Sequence, residues 1–226
     1  MKFFYGRRSS KKLNKIELDS LFKSEFYLNK YNCKKKLYKF TDNYHLCNLE
    51  IGFGSGENLL RQAYFLKNQG FIGCDPFLNG NLKVLKSVNQ DSLRNIMITN
   101  LDFKSLFLTI VNAFKFYKIF ILFPDPWPKT RHNKRRLINF EFLEDLKKIL
   151  MINGRVIIST DHSEYFEEIL AKFSLKNFFK REYFSEKNNP NLNQFQQLGL
   201  FSTKYFDKAK NKSKTTNCAS FKLVQY

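Results

Sequence analysis

Asp125 stands between Pro124 and Pro126, beside Trp127, the only tryptophan of the chain. Proline on both sides removes two backbone donors and fixes φ, which holds the carboxylate in place. The residues before it, Ile121, Leu122 and Phe123, are apolar, and those after it carry a cluster of cations: Lys129, Arg131, Lys134, Arg135 and Arg136. Three of the nine arginines of the chain fall in this one stretch. A pinned acid at the end of an apolar strand can face a reacting group, while the cations behind it contact phosphates, with His132 as a further donor. Trp127 suits stacking on a base or covering a pocket, although a core position is the commoner fate of a tryptophan. The plainer reading of the cations is a solvated charge run leading into a helix; their adjacency to a pocket acid weighs against it.

A second constellation lies upstream. LEIGFGSGENLL (49–60) sets Gly52, Gly54 and Gly56 between an apolar run and an amphipathic one. Glycines there let the backbone turn sharply and approach a ligand closely beside a helix N-terminus. A dinucleotide fingerprint would want a third-position glycine at 57, where this chain has Glu57, and an acid sits poorly against a pyrophosphate. G-x-G-x-G preceded by Glu50 suits a ligand with positive charge and no phosphate; S-adenosylmethionine, with its sulfonium and amino group, fits. Asp75 follows about 20 residues on, where an acid accepts hydrogen bonds from ribose hydroxyls. Asp102 is placed to reach the adenine end of such a ligand or to order its own loop. Each acid alone reads most simply as a solvated strand end or a helix cap. Glu50, Asp75, Asp102 and Asp125 at the C-terminal ends of four successive strands favour one shared ligand outside those ends.

The elements that must position these residues alternate. Strands are expected at 45–51, 71–75, 95–102, 117–123 and 154–160, and helices at 57–69, 82–88, 103–114, 135–151 and 163–173, the last with Ser163 as its cap. Short apolar strands alternating with helices imply a parallel sheet covered on both faces. The tail breaks the rhythm: two apolar runs, 197–206 and 218–226, have no helix between them and suggest an antiparallel hairpin at one edge. Residues 1–40 are polar and Lys-rich with a weak helical pattern over Ile16, Leu18, Leu21, Phe22 and Phe26, an arm plus helix ahead of a single domain at 41–226.

The chain has 226 residues, 43% hydrophobic and 17% aromatic, enough for one substantial core. No apolar run is long enough to span a bilayer or to act as a secretory signal, which points to a cytoplasmic protein without a membrane partner. Cys33, Cys47, Cys74 and Cys218 lie far apart, so reduced, buried thiols are expected and no metal site. The net charge of +19 calls for a polyanionic partner, with nucleic acid foremost, although Lys, Asn, Phe and Ile enrichment also fits compositional drift.

PDPWPKTRHNKRR (124–136) resembles the signature of the bacterial tRNA (guanine-N7-)-methyltransferases. LEIGFGSGENL looks like that family's cofactor turn, STDHSEY (159–165) like its Thr-Asp-x-x-x-Tyr segment, STKYF (202–206) like its Thr-Lys-Phe-Glu segment, and FYGRRSSKKL like the Arg-rich leader of some members. The resemblance implies a Rossmann-like class I methyltransferase fold, a mostly parallel seven-stranded sheet with an antiparallel C-terminal hairpin. It implies S-adenosylmethionine held by Glu50, Gly52, Gly54, Gly56, Asp75, Asp102 and Asp125, with catalysis near Asp125. It further implies tRNA contacts from Lys129, Arg131, His132, Asn133, Lys134, Arg135, Arg136, Asp161, Thr203, Lys204, Tyr205 and Phe206. Methylation would fall on guanine N7 in the variable loop. Three positions depart from the pattern: Asp75 stands for a common Glu, Pro128 for a common His, and Phe206 for the family's Glu, with Asp207 a neighbouring acid. An amino-group methyltransferase would carry two prolines after its acid, whereas here one precedes and one follows. A non-catalytic RNA-binding protein would not need the glycines and four acids intact, and a nicotinamide oxidoreductase is disfavoured by Glu57.

Overall fold

The computed structural model describes residues 6, 8–10, 12–185, 199–201, 203–211 and 216–225, the side chains of 183–185, 205, 206, 210 and 211 excepted. The chain divides into two compact units, Met1–Phe114 and Lys115–Tyr226.

In the first unit, β1 (Cys47–Ile51), β2 (Gly70–Cys74) and β3 (Ile96–Thr99) pair in parallel, in the order β3-β2-β1. β1 and β2 are buried throughout, as strands covered on both faces must be. α3 (Glu57–Phe65) and α4 (Leu78–Gln90) are the crossovers, and α5 (Phe103–Ile110) follows β3. α1 (Lys15–Lys23) starts with a capping box: the Asn14 side chain accepts from Glu17 N, and the Glu17 carboxylate accepts from Asn14 N. α2 (Cys33–Asn43), not foreseen as a helix, follows. Between α1 and α2, residues 26–28 run along the outer edge of β3: Ile98 N donates to Phe26 O and Leu28 N to Ile98 O. Leu21, Phe26 and Tyr27 thereby join Phe71, Val84, Leu85 and Ile96 in one core cluster. The N-terminal segment is tied down as well, with Leu78 N donating to Arg8 O at 2.9 Å and Ser10 N to Asn79 Oδ1 at 2.8 Å.

In the second unit, β4 (Phe116–Leu122) runs parallel to β5 (Leu150–Thr160), and β7 (Asn217–Leu223) lies antiparallel to both β5 and β6 (Phe179–Ser185). Among the described residues there are thus seven strands, mostly parallel, ending in an antiparallel pair. α6 (Phe140–Ile149) and α7 (Ser163–Ser174) contribute Phe142, Leu146, Phe166 and Phe173 to the core, and the Phe173 ring stacks on Phe221 at 3.8 Å. Among the described residues no helix is long and apolar enough to cross a membrane. All four thiols are free and buried.

Three expectations need correction. The helix expected from 135 begins only at Phe140, where the Asn139 side chain caps it by accepting from Phe142 N; residues Thr130–Arg135 form a 3-10 turn instead. The cap of α7 is His162, whose Nδ1 accepts from Tyr165 N, rather than Ser163. The partner of the last strand is β6, not the 197–206 run: residues Lys204–Asn211 form a helix, α8, and residues 197, 198 and 202 lie outside the described set. β6 had been passed over because Lys180, Arg181 and Glu182 interrupt its apolar residues.

Candidate functional site

The first unit presents the glycine turn. Gly52, Gly54 and Gly56 all have φ between 57° and 77°, the left-handed region where a side chain is strained. The turn is held from three directions. Gly52 N donates to Cys74 O on β2, and the Asp75 carboxylate accepts from Gly54 N at 2.7 Å through one oxygen and from Phe77 N at 2.8 Å through the other. From α4, Gly80 presses so close that a Cβ there would lie 1.9 Å from Gly54 O. A Cβ on Gly52, by contrast, would meet nothing within 4 Å among the described residues.

Asp75 therefore shapes the loop before it meets any ligand. Its place just past the end of β2 is compatible with ribose hydroxyls. Asn81 steadies the same loop by donating to Asp75 O at 2.7 Å and Phe77 O at 3.1 Å. Sequence reading missed it; the available signal was an amide at helical spacing from Val84, Leu85 and Val88, on the apolar stripe of α4.

Glu50 closes the floor at the end of β1. It is 3% exposed and accepts from Asn58 Nδ2 at 2.9 Å. Burial pushes its carboxyl up to about 8; the Asn58 bond opposes this, while Asp75 and Glu57 add to it. Burial thus favours its protonated form, and a positive charge beside it would lower the cost of ionising it. A sulfonium or ammonium group fits that chemistry. Asp102 is the N-cap of α5, its Oδ1 accepting from Ser105 N at 2.9 Å, which is the cap reading of that acid.

The second unit presents the proline-flanked acid and the cations. β4 ends at Leu122, and Phe123 turns with φ 51° while its N–H donates to Ser159 O on β5 at 2.7 Å. Trp127 also has positive φ, 44°, so two bulky residues bracket Asp125 in a conformation that costs each of them on the order of 1 kcal/mol. Asp125 is exposed; the surrounding protein mass pushes its carboxyl above the ordinary range.

What pins this loop is Arg136. Its side chain is 1% exposed: Nε donates to Pro126 O at 2.7 Å, the guanidinium pairs with Glu168 and Glu164 of α7, and it lies 4.9 Å from the Tyr165 ring centroid. Lys172 extends the network to Glu168 and to Ile138 O, and Tyr165 OH accepts from Ile138 N. Burial works against Glu168, yet the hydrogen bonds from Lys172 and Arg136 outweigh it and hold the carboxyl below its usual range. Arg136 is thus an internal anchor set apart from the surface cations.

Lys129, Arg131 and Lys134 are exposed, and Arg135 lies over Trp127 at 5.0 Å, with His132 edge-on to the same ring at 5.9 Å. Partial desolvation and then Arg135, Arg131, Lys129 and Lys134 lower the His132 pKa, which favours its neutral form. Asn133 lies within this turn with its Oδ1 buried and, among the described residues, without a hydrogen-bond partner. Asp161 is half-buried just past β5. Thr203 is buried, its Oγ1 without a partner among the described residues, and its carbonyl accepts from Asp207 N, which makes it the residue before the first turn of α8. Lys204 and Asp207 are exposed; the side chains of Tyr205 and Phe206 lie outside the described residues. Among the described residues no three His, Cys, Asp or Glu side chains cluster as metal ligands would.

Comparison with known proteins converges on one class of enzyme. Residues 45–219 match the profile of a family described as "Putative methyltransferase". A tRNA (guanine-N(7)-)-methyltransferase of Wolbachia pipientis wMel is 41% identical over 140 residues, 62% of this chain and 63% of that protein. A "Bifunctional methyltransferase" of Rickettsia prowazekii (strain Madrid E) is 34% identical over 224 residues, 98% of this chain and 40% of its own length. The chain thus spans less than two thirds of the curated relatives it matches. In fold, it resembles a solved antibiotic-related methyltransferase at TM-score 0.61 and 19% identity, over 84% of this chain and 94% of the other. A 16S rRNA (adenine(1408)-N(1))-methyltransferase from Catenulisporales acidiphilia gives TM-score 0.60 at 12% identity, over 85% and 94%.

Proposed function

Because the chain belongs to this methyltransferase family, we propose that it transfers a methyl group from S-adenosylmethionine to N7 of a guanine in tRNA, in the variable loop, in the cytoplasm. The observation that supports the RNA half of this reading most directly is the loop of residues 124–136: an exposed acid, an aromatic ring and exposed cations on a backbone anchored from inside by Arg136.

The residues divide the work. Glu50, Gly52, Gly54, Gly56, Asp75 and Asp102 hold S-adenosylmethionine, which supplies an electrophilic methyl on a positively charged sulfur. Glu50 gives up its proton to face that ligand's positive charge, and Asp75 meets the ligand's hydroxyls while keeping Gly54 in place. Guanine N7 carries a free lone pair, so no residue of this chain has to remove a proton before the new C–N bond forms and the C–S bond breaks. The purine gains a positive charge as it is methylated. Asp125, held by its prolines, accepts hydrogen bonds from guanine N–H groups and favours that charge; Asp161 is a second acid for the same task. Lys129, Arg131, Lys134 and Arg135 take phosphates, with His132, Asn133 and the Thr203–Phe206 segment as further substrate contacts.

The test is to incubate the protein with unmodified tRNA and methyl-labelled S-adenosylmethionine, then map the label. Label on guanine N7 in the variable loop is expected; transfer to another base or atom, or none, rejects the reading.

A further inference from the structure

Helix α2 and the turn before it carry a charged face that the residues assigned above leave unused. Cys33, Leu37 and Phe40 bury one side of the helix, while Lys34, Lys35, Tyr38 and Lys39 are exposed on the other. Lys34 and Lys35 precede Tyr38 by four and three residues, which puts all three on one face. Lys30 and Tyr31 extend it: Tyr31 is 84% exposed, with Lys30 Nζ 4.7 Å from its ring centroid. Among the described residues no ion pair engages Lys30, Lys34, Lys35 or Lys39.

A chain drifting toward lysine would dress every helix alike. It does not: α6 mixes Glu141 and Glu144 with Lys147 and Lys148, and α7 mixes Glu164, Glu167 and Glu168 with Lys172. α2 has three consecutive lysines at its start and no acid in its first turn. That is the end of a helix where cations are least favoured, and like charges crowded there repel. The lysine nearest the core, Lys36, is already satisfied by the carbonyls of Ser24, Glu25 and Tyr27. The other lysines point outward with two exposed tyrosines among them, a pattern that suits a phosphate backbone carrying unpaired bases.

We propose that Lys30, Tyr31, Lys34, Lys35, Tyr38 and Lys39 form a second RNA-contacting surface, the ammonium groups on backbone phosphates and Tyr31 under an unpaired base. The proposal rests on the reading that the substrate is tRNA. The experiment compares the full chain with its Lys34→Gln, Lys35→Gln, Lys39→Gln triple variant, measuring tRNA affinity across salt concentrations, S-adenosylmethionine affinity and thermal midpoint. Expected are a loss of about tenfold or more in tRNA affinity and a log–log salt slope shallower by about 2, from three lost phosphate contacts. Cofactor affinity should stay unchanged, and the midpoint should hold or rise slightly as repulsion at the start of α2 is relieved. The corresponding triple Lys→Arg variant should restore tRNA binding, and Tyr31→Phe should retain what Tyr31→Ala loses. If the wild type binds and methylates tRNA but the triple variant does so equally well, the surface is not an RNA contact while the function stands. If the wild type neither binds nor methylates tRNA, both fall. Binding of wild type to phosphatidylglycerol vesicles that the triple variant loses, with tRNA affinity unaltered, would assign the face to lipid and overturn the proposal.

Discussion

Glu50 makes the sharpest single-residue prediction. Its folded-state pKa, about 8, lies above the ordinary 4.5. The folded protein therefore keeps a proton that the unfolded chain has shed. Its stabilising contribution is full below pH 4.5 and is lost as pH rises through about 8. Glu50→Gln, which keeps an acceptor for Asn58, should raise the thermal midpoint of the ligand-free protein at pH 9 relative to wild type and weaken S-adenosylmethionine binding. In the wild type that binding should strengthen as pH approaches 8 and release a proton at neutral pH, which calorimetry in two buffers of different ionisation enthalpy would detect. Asp125→Asn tests the chemistry: tRNA affinity should hold while methyl transfer falls by roughly 10²-fold or more, the usual size of losing one charge-stabilising group. Unaltered turnover would remove Asp125 from the transfer step. At this scale the sequence was informative about identity but less so about duty. The glycines form the turn their spacing implies, and Glu50 and Asp75 lie at the ends of β1 and β2, but β3 stops at Thr99 and not at the expected Asp102; Asp75 braces the turn and Asp102 caps α5, because side-chain partners across β2 and α5 are not encoded in local spacing.

Among the elements, the loop between β4 and α6 depends on α7. Arg136 was legible as one more cation in a basic run, and only the fold sets it apart, since burial depends on Glu164, Tyr165 and Glu168 nearly thirty residues later. Arg136→Met should destabilise the protein by about 3 kcal/mol, the low end for breaking a buried ion pair, because Glu168 keeps Lys172. Denaturant titration would measure it. Arg131→Met, on an exposed residue, should leave stability within about 0.5 kcal/mol and lower tRNA affinity instead. A reversed pattern would exchange the two roles. The parallel strands and their helices were readable because their apolar runs are short and bounded by glycine or acids. α2 and β6 are hidden by lysines and arginines that interrupt their apolar positions, and α8 reads as part of a strand because Leu198, Leu200, Phe201, Tyr205 and Phe206 make 197–206 look like one apolar run.

For the molecule as a whole, the net charge of +19 becomes a statement about ionic strength. If Lys129, Arg131, Lys134 and Arg135 each meet a phosphate, the logarithm of tRNA affinity should fall with log salt at a slope of about −3 from that loop alone. A slope near zero would mean that the charge is compositional and the RNA is held by other means. Salt should leave S-adenosylmethionine affinity far less affected, since the Glu50 floor is buried.

One quiet feature bears on how the chain survives outside its working state. Residues 26–28 lie along the outer rim of β3, occupying donors and acceptors that would otherwise greet any passing extended peptide. A version begun at residue 41 would keep every glycine and acid of the cofactor turn and still expose that rim, together with the apolar ground under Leu21 and Tyr27. Its failure should show first as clumping that grows with concentration, seen by light scattering before any change in catalysis per soluble molecule.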